Sequence, residues 1–293
     1  MEPKRCKVLT FGGVEQPRLD QCRAAIIPAP LEVTVTYGEG AAQGPLAIIS
    51  ASANMELYDE VLGASPMSQG IYTHGRVETS GSLDIALARI TEAVTDELDH
   101  GRLPVVLGGE HTVTVGALRA LVERYGTDFT LLVMDAHLDL RDQWEGAKLS
   151  HATVSRRALE MGLPVRWVGS RSCSEGEAAY LAGHGLEPMW AHRIHADPNW
   201  IERSLEGLEG PVYLSLDVDG LDAGIMPATG TPEPGGLSFT QASAWLEAVC
   251  ARHPVLGLDL VELAPLAGQT AWDFTAARLL YRALGLIFRG MTP

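Results

Sequence analysis

A chain of 293 residues with 46% apolar side chains can bury one large α/β core, and its formal net charge of −15 is spread along the sequence with no basic cluster. That balance argues against a nucleic-acid backbone or an anionic membrane as partner and suits a small cationic one better. Cys6, Cys22, Cys173 and Cys250 form no C-x-x-C pair and are too sparse for a disulfide scaffold, so they are expected to be reduced thiols in a cytoplasmic protein.

The opening "MEPKRCKVLTFGG" is basic but lacks the apolar region of a secretion signal, and no later run reaches the length of a membrane span. Short apolar runs bounded by turn residues then alternate with segments of helical period, the pattern of βα units around a mostly parallel, buried sheet. The spacing predicts strands at "AAIIPAP", "PVVLGG", "FTLLVMD", "VRWVGS", "VYLSLD" and "VLGLDLVEL". It predicts helices over 43–62, 82–100, 112–125, 151–161, 238–252 and 272–288. No linker divides the chain, so residues 1–293 are read as a single domain. "PATGTPEPGG", residues 227–236, joins a strand to a helix; its Pro and Gly fix φ and permit tight turns, which suits a rigid loop over a site.

Open parallel sheets bind ligands beyond the carboxyl ends of their strands. The chemistry-bearing residues fall there. "PVVLGGEH" leads to His111, "LLVMDAHLD" carries Asp135, His137 and Asp139 at every second position, and "VYLSLDVDGLD" carries Asp217 and Asp219. An extended chain points alternate residues to one side, so the three ligands after "LLVM" converge if the strand continues to Asp139. Each cluster alone is most simply a turn or a helix cap; three at strand ends point to one site. Two imidazoles and four carboxylates together demand cationic compensation, and two divalent ions would supply it and activate water at neutral pH. The oxygen-rich set favours Mn²⁺, while the two histidines leave Fe, Co, Ni and Zn open.

"LGGEHTVT", "MDAHLDLRD", "KLSHATV", "SLDVDGLDAGIMPATGTPEPGGLS" and "LDLVELAP" occur in an order that resembles the ureohydrolase family of arginases and agmatinases. The likeness covers nearly the whole chain, including "AAIIPAPLEVTVTYGEGAAQGPLAIISAS". It implies a three-layer α/β/α fold, a Mn²⁺ pair, homo-oligomers of three or six subunits, and hydrolysis of a guanidino group to urea and an amine. By this resemblance His111, Asp135, Asp139 and Asp217 hold one ion. His137, Asp135, Asp217 and Asp219 hold the other, with Asp135 and Asp217 bridging. Glu262 would orient the guanidinium, and His151 would shuttle protons, work that a pKa near neutrality suits.

Two residues depart from the family pattern: Ala152 follows the shuttle histidine where Gly is common, and Ala223 follows "DGLD" where Pro is common. Asp222 reads as a turn residue or a support for ligands. His192, His195 and Asp197 in "AHRIHADP" lack a preceding strand and read as a decoy, and His74, His100, His184 and His253 as structural or exposed.

Arginases bind the amino-acid end of their substrate with polar residues where this chain has Ala147, Leu149 and Ser174. The missing handle favours agmatine, with aminopropylagmatine, guanidinobutyrate and arginine as alternatives. Glu175 is at most a guess for the distal amine. A catalytically silent polyamine-binding relative would show a damaged donor set, and none is visible; the one-zinc deacetylase branch of this broad fold does not need all six donors.

Overall fold

The computed structural model describes residues 9–291. Seven strands form one sheet: β1 (Ala24–Ala29), β2 (Ile71–Thr73), β3 (Leu103–Gly108), β4 (Thr130–Met134), β5 (Val165–Val168), β6 (Val212–Asp217) and β7 (Val255–Val261). Their order is β2-β1-β3-β7-β6-β4-β5, and every pairing is parallel. Six of the seven occupy the predicted runs. β2 was not expected, because three residues at a sheet edge leave too little alternation to read.

Nine helices flank the sheet among the described residues: α1 (Gly44–Ser52), α2 (Leu83–Asp99), α3 (Val113–Tyr125), α4 (Val154–Glu160), α5 (Glu175–His184), α6 (Ala191–Ala196), α7 (Trp200–Leu205), α8 (Phe239–Arg252) and α9 (Ala271–Gly290). Alternate strand residues enter opposite layers. Ile26, Val105, Leu107, Leu132 and Met134 pack with α1, α8 and α9 through Ile48, Trp245 and Tyr281. Ile27, Val106, Leu131 and Val133 pack with α2, α3 and α4 through Leu87, Leu118 and Val154. The result is the expected three-layer α/β/α arrangement, with strands apolar on both faces because both faces are covered.

The helix expected over 43–62 stops at Ser52. The Ser52 hydroxyl donates to the Ile49 carbonyl at 2.7 Å and accepts the Gly12 N–H at 2.8 Å, tying the helix end to another segment. Asp59 then turns the chain by accepting the N–H groups of Val61 and Leu62, and its buried carboxylate pairs with Arg282 of α9 at 2.5 Å. Helices α5, α6 and α7 were not anticipated. The last two have six residues each, too short to display a helical period.

Register sets the site. Leu107 of β3 and Leu216 of β6 both lie beside Leu260 of β7, and Leu216 also lies beside Met134 of β4. One step on, Gly108, Val261, Asp217 and Asp135 leave the sheet at a common level on its four central strands.

Candidate metal centre and active-site cleft

The chain after β3 turns through Gly108 and Gly109. A Cβ on Gly109 would stand 2.0 Å from the Leu31 carbonyl oxygen, so the turn that delivers His111 admits no side chain there. His111 is buried, and its Nδ1 lies 3.1 Å from Asp135, 2.9 Å from Asp139 and 3.4 Å from Asp217. Its Nε2 meets the Ser215 hydroxyl at 2.8 Å; Ser215 and Thr114 donate to buried Asp259 at 2.7 and 2.8 Å. This network fixes the ring so that Nδ1 faces the carboxylates.

His137 is more open, with Nδ1 3.0 Å from Asp219 and 3.6 Å from Asp135. Candidate ligand atoms of His111, Asp135 and Asp217 cluster within 4.8 Å, as do those of Asp135, His137 and Asp219, so Asp135 belongs to both groups.

The geometry behind this convergence differs from the expected one. β4 ends at Met134, and 135–139 is irregular backbone rather than a continued strand. Asp135 accepts the His137 N–H at 2.6 Å, Asp219 accepts the Ala136 N–H at 3.0 Å, and Asp139 adopts a φ of 48°. Backbone donors from the turn thus orient the carboxylates, and a left-handed residue swings Asp139 toward His111. In the same way Asp217 accepts the Asp219 N–H at 2.8 Å, which holds the second pair.

Asp135, Asp139, Asp217 and Asp219 are all buried. Burial raises Asp217 well above the usual carboxylate range, reinforced by Asp219 and Asp135, and pushes Asp139 up to about 6. Asp135 is buried too, but both imidazoles hold it well below that range. Burial opposes charge on His137, yet Asp219 and Asp135 overcome it and push the ring up to about 12. His111 Nδ1 and Asp135 Oδ2 are buried without a hydrogen-bond partner despite their proximity. Facing donor atoms, converging carboxylates and unpaired buried polar groups fit divalent cations.

Glu262 follows β7 at a φ of 65° and accepts the His111 N–H at 2.6 Å, and burial pushes its carboxyl up to about 8. His151 opens a short turn before α4 and lines the same cleft, together with His137, Asp139, Asp217, Asp219 and Glu262. The cleft is about 300 Å³, and Thr34, Thr36, Tyr37, Arg141, Trp144, Cys173, Glu177, Thr231 and Glu233 complete most of its wall.

Two loops frame it. Segment 31–43 is pinned by Glu32, which accepts the N–H groups of Gly40, Ala41 and Ala42. Segment 227–236 is held by Asp222, which accepts from Gly224, Gly235 and Gly236, and by Arg171, which donates to the carbonyls of Glu233 and Pro234. Gly38 N–H donates to the Gly230 carbonyl at 3.1 Å, so the loops brace each other. Asp222 is the expected turn residue, and the Pro/Gly-rich segment is part of the cleft wall.

Glu177 and Trp144 escaped the sequence reading. A capping box, Ser174-x-x-Glu177, was the available signal for Glu177; Trp144 carried none. Glu175 is exposed and does not line the cleft; Ala147 and Leu149 do not line it either. His192 and His195 are exposed on α6, away from the donors. Cys22, Cys173 and Cys250 are free thiols; Cys6 lies outside the described residues.

A parallel α/β/α sheet with metal-type side chains gathered at its carboxyl edge fits a metal-dependent hydrolase. The chain belongs to the arginase family, whose family model matches residues 22–285. It is 36% identical over 267 residues to an N(1)-aminopropylagmatine ureohydrolase of Synechocystis sp., covering 89% of this chain and 87% of that protein. An N(1)-aminopropylagmatine ureohydrolase of Thermus thermophilus is 38% identical over 279 residues, covering 95% and 94%. The solved agmatine ureohydrolase of Thermoplasma volcanium superposes with a TM-score of 0.87 at 29% identity, covering 96% of this chain and 95% of that one. The protein is a metal-dependent ureohydrolase acting on guanidino compounds.

Proposed function

We propose that this single-domain chain hydrolyses aminopropylagmatine, or a guanidine with a similarly extended cationic tail, to urea and the corresponding polyamine. The supporting observation is the cleft wall: Glu233 brings a carboxylate and Trp144 an aromatic ring to the same cleft that His137, Asp139, Asp217 and Asp219 line. Carboxylates and aromatic faces both attract ammonium groups. The 36% and 38% identities to aminopropylagmatine ureohydrolases point the same way and favour the longer substrate over agmatine, the first expectation from sequence. Arginine would bring a carboxylate to a wall that is acidic apart from Arg141.

His111, Asp135, Asp139 and Asp217 would hold one ion, and His137, Asp135, Asp217 and Asp219 the other. Mn²⁺ is the ion proposed, since oxygen donors dominate. Divalent ions held there would supply an activated water at neutral pH and electrostatic stabilisation of the developing charge. Glu262, already tied to the His111 backbone, aligns the planar guanidinium by accepting its N–H groups. His151 carries a proton to the departing amine nitrogen, so that the C–N bond breaks to release a neutral amine. Assembly into trimers or hexamers and a cytoplasmic location complete the proposal; among the described residues no helix is long and apolar enough to cross a membrane.

Arg141 favours a second reading, guanidinobutyrate. Its guanidinium lies over the Trp144 ring at 5.0 Å and 4.0 Å from Glu177, close enough to be drawn to a substrate carboxylate. Urea release across aminopropylagmatine, agmatine, guanidinobutyrate and arginine with Mn²⁺ separates the two. A preference for guanidinobutyrate, abolished in Arg141→Ala, would replace the first reading with the second.

A further inference from the structure

Glu110 lies between the metal-donor histidine and the β3 turn, is fully buried, and is not one of the six metal donors. Four donors converge on it. The N–H groups of Val33 and Thr34 reach Oε2 at 2.6 and 2.5 Å, and the hydroxyls of Thr34, at 2.9 Å, and Thr112 reach Oε1. A carboxylate with this surrounding only accepts, so the Thr34 hydroxyl directs its single proton at Glu110.

Toward His151 the same hydroxyl can then only accept. It takes the His151 backbone N–H at 3.0 Å and stands 3.0 Å from ring atom Nδ1. A hydrogen bond at that second contact requires a hydrogen on Nδ1. In a neutral imidazole Nε2 is then bare, and it lies 2.7 Å from the Thr36 hydroxyl, which is free to donate to it. Thr36 and His151 both line the cleft.

We propose that Glu110 is a positioning residue that, through Thr34, locks the neutral His151 ring in its Nδ1–H tautomer and leaves Nε2 as the proton-accepting atom. A proton taken at Nε2 from the water that adds to the guanidinium carbon yields an imidazolium whose Nδ1–H stays on Thr34, near the Glu110 charge. The same Nε2 returns that proton to the amine nitrogen as the C–N bond breaks. The effect on rate rests on His151 being the proton carrier; the tautomer does not.

The test uses ¹⁵N-histidine-labelled protein loaded with Zn²⁺, a diamagnetic ion, for ring nitrogen shifts, and the Mn²⁺-loaded protein for kinetics. Wild type is expected to show Nδ1–H for neutral His151. In Glu110→Gln the amide N–H can donate to Thr34, freeing the hydroxyl proton to turn to Nδ1, so the ring moves to Nε2–H. kcat then falls about 10²- to 10⁴-fold, the scale of a misdirected acid–base group, with KM within about threefold. Thr34→Val, which removes the acceptor without touching the buried carboxylate, should unlock the ring, and Thr34→Ser should restore both shift and kcat. An Nε2–H ring in wild type, or an unchanged ring in both Glu110→Gln and Thr34→Val, would overturn the proposal. The expected shifts with full activity in His151→Asn would leave the positioning role standing and remove His151 as proton carrier.

Discussion

At the scale of single residues, the acid–base behaviour of His151 follows from its surroundings. Burial lowers its basicity, opposed by the negative charge of Glu110. The ring therefore gains its proton below its ordinary value of 6.5, which favours the neutral, proton-accepting form. A ring titration followed by NMR should have its midpoint below that value; a midpoint above it would mean that Glu110 outweighs burial. His151→Asn should keep both ions and lose on the order of 10²- to 10⁴-fold in kcat, whereas loss of bound metal would make His151 a ligand. Asp219 sits in only one of the two donor groups. Asp219→Ala should lower metal content from about two ions per chain toward one and severely reduce turnover. Elemental analysis showing unchanged stoichiometry would break that assignment.

At the scale of elements, the cleft depends on turns that tolerate few residues. Gly109→Ala would drive a methyl into the Leu31 carbonyl, and the forced backbone shift should cost about 1–3 kcal/mol, read as a lower midpoint in denaturant unfolding. A midpoint equal to wild type would show that the Leu31 segment moves freely. What the sequence displayed at this scale follows from length and periodicity. β6 occupies "VYLSLD" as predicted because it is apolar and ends abruptly at its Asp. The convergence of Asp135, His137 and Asp139 was legible as a cluster but not as a geometry. A positive φ at Asp139 and backbone donors from another loop cannot be read from alternation. Likewise the Glu110–Thr34–His151 chain joins residues separated by 76 and 117 positions, and only folding brings them together. The six proposed donors and Glu262 drew attention because they follow buried strands, whereas Trp144 lies in an irregular loop with no pattern of its own.

At the scale of the molecule, four buried aspartates beside two histidines would make the proposed metal centre dependent on its ions. Chelation should lower Tm, and restoring divalent metal should raise it again in a concentration-dependent way, because ions that bind only the folded chain stabilise it by mass action. A Tm indifferent to chelator would mean that the imidazoles alone balance the carboxylates. The net charge of −15 should also draw a polycationic substrate inward, so kcat/KM should fall as ionic strength rises. The most direct measurement is kcat/KM for urea release from aminopropylagmatine, agmatine and arginine with the Mn²⁺-loaded protein. Aminopropylagmatine should exceed agmatine by at least about tenfold and arginine by at least about a hundredfold, differences of a few kcal/mol in transition-state binding. Arginine turned over as efficiently as aminopropylagmatine would contradict the account.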